Sequence, residues 1–74
     1  MMYDILPSVL AHLKELKGKR IRLVSSSDPY TKLNPGAEGT VSFVDDMGTV
    51  HVKWDCGSSL GLIYREDYWE EVVA

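Results

Sequence analysis

With 74 residues, 45% of them hydrophobic and 26% charged, the chain has room for one thin-cored domain and is too apolar to be disordered. A net charge of −3 argues against a uniformly basic nucleic-acid binder, and a lone cysteine, Cys56, excludes an internal disulfide framework. No apolar run approaches the roughly 20 residues that span a bilayer, and the N-terminus lacks a basic start and apolar stretch, so the expectation is a cytoplasmic protein with no membrane partner.

Residues 1–17 read as an amphipathic helix. Leu6, Val9, Leu10, Leu13 and Leu16, with Ile5 near the start, recur at steps of three and four and share one face. Pro7 suits the first turn and Asp4 is placed to cap it. Gly18 can end the helix in a left-handed conformation, with Lys14 and Lys17 facing the negative end of the dipole. About three turns cannot stand alone in water, so the leucine stripe must cover the rest of the chain or pair with another chain. Those five residues are therefore a candidate association surface.

Residues 18–74 change to a period of two. Ile21 and Leu23 alternate with Arg20, Arg22 and Val24, the mark of a strand with one buried face. Ser25 to Gly36 holds two prolines and several turn formers and reads as a long ordered loop. Glu38-Gly39-Thr40 leads into a second strand through Val41 and Phe43, and Asp45 to Gly48 forms a hairpin loop. The third strand is the clearest: Val50, Val52 and Trp54 face one way and His51, Lys53 and Asp55 the other. Cys56-Gly57 then turns the chain into a fourth strand from Ser58 to Leu62. Tyr64 to Asp67 reads as a 3₁₀ turn, and Tyr68 to Val73 as the last strand. Five short strands in this pattern predict a small barrel, whose closure removes exposed edges.

A likeness gathers along these strands. It runs through Gly18-Lys19-Arg20-Ile21-Arg22-Leu23-Val24, Asp28-Pro29-Tyr30, Pro35-Gly36, Gly39-Thr40-Val41, Phe43-Val44-Asp45, His51-Val52-Lys53-Trp54-Asp55, Gly57-Ser58-Ser59-Leu60 and Asp67. The V-K-W-D-x-G-S-S-L run is its most specific part. From Gly18 to Val73 the chain resembles an uncharacterised domain-of-unknown-function family of short proteins from Gram-positive bacteria, their phages and mobile elements. The resemblance implies an SH3-like barrel and no established activity. Cys56 stands where that family usually has Asn, and Tyr64-Arg65-Glu66 replaces a turn containing Pro-Gly. The helix falls outside the match. The expected fold is thus mainly β, a small five-stranded SH3-like barrel behind an N-terminal amphipathic α-helix.

No set of residues reads as catalytic, so the chain is expected not to be an enzyme and to need no cofactor or metal. His12, His51 and Cys56 match no metal-ligand spacing. A Cys56–His51 pair lacks anything to orient the histidine. The neighbouring acids Asp45-Asp46 and Glu70-Glu71 point to opposite faces of a strand. Gly36 to Gly39 is too short, and placed before a strand, to cradle phosphate.

Two constellations remain. In a barrel of this kind Tyr30, Trp54, Tyr64, Tyr68 and Trp69 can converge on a groove between the first loop and the last corner, where aromatics dominate recognition. Against that, Trp54 shares the phase of Val50 and Val52 and reads first as core. The second constellation is basic. Residues 1–22 carry Lys14, Lys17, Lys19, Arg20 and Arg22 against two acids, a net of +3, while the remainder nets −6. The functional expectation is a non-catalytic module that binds a protein partner, a second copy of itself included. Two alternatives stand beside it. One is a small-molecule or nucleotide binder acting as an accessory or counter-defence protein of a phage or mobile element. The other is weak nucleic-acid binding through the basic helix end.

Overall fold

The computed structural model describes residues 6–27 and 33–73. The helix α1 spans Pro7–Lys14, with Pro7 in its first turn and Leu6 at the N-cap, where no side chain caps it. Asp4 and Ile5 lie outside the described residues. After Lys14 the chain tightens: the N–H groups of Leu16 and Lys17 donate to the carbonyls of Leu13 and Lys14. Gly18 follows with φ +84°, the left-handed stop its position implied.

Gly18 also begins the sheet. Its N–H donates to the Val41 carbonyl, and the Val41 N–H returns to the Lys19 carbonyl. Strand β1 (Arg20–Ser25) is paired on one side with β2 (Glu38–Val44) and on the other with β5 (Tyr68–Glu71). Strand β3 (Thr49–Trp54) lies between β2 and β4 (Gly61–Ile63). All pairings are antiparallel and the order is β4-β3-β2-β1-β5. The sheet's two ends, β4 and β5, share no ladder among the described residues, so hydrogen bonds do not close it.

The inward positions follow the two-residue alternation. Ile21, Leu23, Val41, Val50, Val52, Trp54 and Leu62 are buried, joined by Leu33 from the first loop and Leu13 from α1. Val9, Leu10 and Leu16 pack against this core, and among the described residues of the helical stripe only Leu6 is exposed. The leucine face is therefore spent on the chain's own sheet.

Strand β2 departs from the expected pattern. Its register slips between Val41 and Phe43, a bulge that puts an extra residue on β2. After the bulge Val44 is buried and Phe43, expected beside Val41, is 47% exposed. Two strand limits are also shorter than the sequence suggested. Ser58 to Leu60 runs without ladder partners before β4, and β5 ends at Glu71.

Candidate binding groove

The corner between β4 and β5 is built around a buried acid. Asp67 is 5% exposed, and its Oδ1 accepts from the Ser27 N–H (2.7 Å), the Ser27 Oγ (3.1 Å) and the Ser26 Oγ (3.2 Å). Its Oδ2 accepts from the Ile63 N–H (2.8 Å). Burial alone pushes the carboxyl up, but the donated hydrogen bonds of Ser27, Ile63 and Ser26 outweigh it and hold Asp67 below the ordinary carboxylate range. One side chain thus ties the end of β4 to the loop leaving β1.

Between those ties the turn is tight. The N–H groups of Glu66 and Asp67 both donate to the Ile63 carbonyl, and Arg65 sits at φ +77°. A 3₁₀ turn was expected here. The left-handed Arg65 breaks that conformation, and the segment is a turn rather than a 3₁₀ helix. Tyr64, Arg65, Asp67, Tyr68 and Trp69 consequently line an open groove of about 500 Å³. Tyr64 and Tyr68 are exposed, while Trp69 packs partly on the core.

Of the expected aromatic set, the structure brings together Tyr64, Tyr68 and Trp69. Trp54 is not among them. It is 2% exposed, and its Nε1–H donates to the Leu60 carbonyl at 2.8 Å, which satisfies the indole inside the core. Tyr30 lies outside the described residues.

The basic residues are mostly neutralised in place. Arg20 grips Asp55 with two bonds of 2.8 and 2.6 Å and reaches Glu38 at 3.5 Å. Arg22 meets Glu70 at 2.7 Å and Glu38 at 3.5 Å. The hydrogen bond to Asp55 raises Arg20 above its usual value, that to Glu70 raises Arg22, and Arg20 in turn lowers Asp55. Lys14 pairs with Asp46 at 2.6 Å and Lys19 with Glu71 at 3.5 Å. Only Lys17 of the five has no carboxylate within ion-pair distance among the described residues.

His51 lies parallel on Phe43, with ring centroids 4.3 Å apart, and its Nε2 sits 2.9 Å from Asp45 Oδ2. That carboxylate also accepts from the Met47 and Thr49 N–H groups, and the His51 contact is the main cause of its lowered pKa. Asp45 thus shapes the hairpin, and it corrects the expectation that nothing orients His51, because folding brings the carboxylate to the ring. Cys56 is exposed on the turn after β3. The pinning role of Asp67 was missed, because an acid between two strands looks like any solvated turn residue. The arginine itself foretells no positive φ; the available signal was the Pro-Gly turn that Tyr64-Arg65-Glu66 replaces in the resembled family, where glycine suits such a backbone.

A sequence model for a family described as a domain of unknown function, DUF4314, matches residues 7–72. The chain belongs to the DUF4314 family. The DUF4314 match starts at Pro7 and so takes in α1, which the likeness running from Gly18 to Val73 left outside. This agrees with the packing, in which Leu13 completes the DUF4314 core. No curated protein and no solved structure matches the chain.

Proposed function

We propose that this DUF4314 domain is a non-catalytic, cytoplasmic protein-binding module with an SH3-like barrel, and that it takes an extended segment of its partner into the β4–β5 corner. The observation that carries this reading is the groove of Tyr64, Tyr68 and Trp69 lying against an end strand of the sheet. Aromatic side chains offer large contact area at low entropic cost. Beyond β1, strand β5 has no ladder partner among the described residues, so its outer backbone groups are available to an added strand. The SH3-like description is supported by the strand order, the long loop between β1 and β2, the short connections that follow and the tight corner before β5.

The partner can be another protein or a second copy of the chain. Crosslinking separates these from no partner at all. A photoreactive residue replacing Tyr68 is expected to form a protein adduct in cells, and one replacing the exposed Lys53 on β3 is not. Solution mass measured across concentration then assigns the adduct to a copy or to a different chain. A strict monomer with no adduct from position 68 removes the reading.

A further inference from the structure

Among the residues that line the groove the unspent charge is positive, whereas the exposed Glu66 beside Arg65 lies outside the lining. Arg20 and Arg22 are committed to carboxylates, but Arg65 makes no ion pair or hydrogen bond among the described residues. The one acid among the described lining residues is unavailable, because Asp67 is buried and both of its oxygens already accept hydrogen bonds. The Tyr64 and Tyr68 hydroxyls and the Trp69 indole N–H are also without partners among the described residues. The lining therefore carries a guanidinium with five N–H donors, an indole donor and two phenols, facing no acceptor from the described chain. A guanidinium in this setting matches a carboxylate with two parallel bonds.

Arg65 is also held in place. Its φ of +77° is a conformation that side chains with a Cβ rarely adopt, in a turn pinned at Ile63 and Asp67. The turn thus fixes the backbone from which the cation projects. The free outer edge of β5 favours an extended polypeptide over a compact small anion.

We propose that the groove recognises an acidic peptide segment. An Asp or Glu carboxylate of the partner pairs with Arg65, and a neighbouring apolar or aromatic residue packs on Tyr64, Tyr68 and Trp69. The proposal rests on the protein-binding reading of the same corner and narrows its partner class.

The test is an NMR titration of the ¹⁵N-labelled full chain with three pools of terminally blocked octapeptides. All share a Leu, Pro or Tyr centre, and they differ only in flanking Asp/Glu, Asn/Gln or Lys/Arg. The acidic pool is expected to shift the Trp69 indole and Arg65 Nε resonances and to half-saturate at a concentration at least about tenfold below the amide pool. Arg65→Gln and Arg65→Gly should both abolish that preference. Because glycine suits the backbone there, an Arg65→Gly protein that melts no earlier than the native chain separates lost recognition from lost folding. Equal binding of acidic and amide pools overturns the acidic preference and leaves the groove a protein-binding site. A preference for the basic pool overturns the charge assignment. Trp69 shifts that grow with protein concentration alone, and ignore Arg65→Gln, hand the groove to a second copy and overturn the proposal. No shift at the corner with any pool overturns both readings.

Discussion

Gly39 faces Trp54 across the β2–β3 ladder, and the space there admits no methyl group. A Cβ at this position would stand 2.7 Å from Val52 Cγ1, 2.8 Å from the Lys53 carbonyl oxygen and 2.9 Å from Trp54 Cα. Two of those atoms are backbone, so relief requires the strands to move apart over the largest core residue. Gly39→Ala should cost about 1–3 kcal/mol, the usual penalty for overpacking, read as a lower urea midpoint at unchanged slope. That is a large share of the roughly 4–11 kcal/mol expected for a chain of this length. Arg65→Gly should act in the opposite direction. It relieves a left-handed side-chain conformation and is expected to raise stability by about 0.5–1 kcal/mol in the same urea experiment, a gain opposed to the binding role argued for the guanidinium. The two sites differ in legibility. In sequence Gly39 only leads into the second strand, and its facing of Trp54 comes from the β2–β3 register, which the sequence does not show. Arg65 is hinted at only by the Pro-Gly turn it replaces in the resembled family, because its conformation is imposed by the contacts of its neighbours.

At the scale of elements, the sequence left one choice open for the helix, and packing decides it. Leu13 lies in the common core at 5% exposure, whereas Leu6 at the N-cap is 64% exposed. Leu13→Ala should therefore cost about 2–4 kcal/mol and Leu6→Ala well under about 1, measured by thermal or urea unfolding. Equal effects would mean that α1 does not dock as described. The helix was readable because its leucines keep one period. Strand β2 was only half readable, because its bulge sits between Val41 and Phe43 and reverses the facing of everything after it. The corner was least readable, since its stability comes from one acid reaching back about 40 residues to Ser26 and Ser27. Asp67→Asn keeps the shape but supplies one acceptor oxygen and an NH₂ where two oxygens accept, so a loss of about 1–3 kcal/mol is expected. The sign with pH follows from the lowered carboxyl: its stabilisation is complete above the unfolded value near 4 and disappears as pH falls through the lower folded value. Urea midpoints of the native chain should decline across that acid range, and Asp67→Asn should flatten the decline.

For the molecule as a whole, the switch of period near Gly18 was enough to separate one helix from a five-stranded antiparallel sheet. It did not reveal that the sheet's ends stay unladdered, because pairing across β4 and β5 depends on curvature that no local pattern encodes. Charge was the more misleading property. Summed along the chain, residues 1–22 look like a positive tract, but folding lays β2, β5 and the turn after β3 beside it and delivers Glu38, Glu70 and Asp55 to the two arginines. The strand-borne part of that field is cancelled within a few ångströms, and a phosphate backbone would have to displace carboxylates to reach it. The native chain should therefore fail to retard duplex DNA even near 20 mM salt, well below the range where counterion release weakens true binders. Asp55→Asn combined with Glu70→Gln removes the closest partner of each arginine and should leave the fold intact, since exposed pairs contribute only about 0–1 kcal/mol each. That double variant is expected to gain weak binding at low salt that vanishes by about 200 mM, with a log–log salt slope of roughly −0.9 per phosphate contacted. If the native chain bound as tightly as the variant, the arginines would be free in solution and the pairing across β1, β2 and β5 would not govern the surface charge.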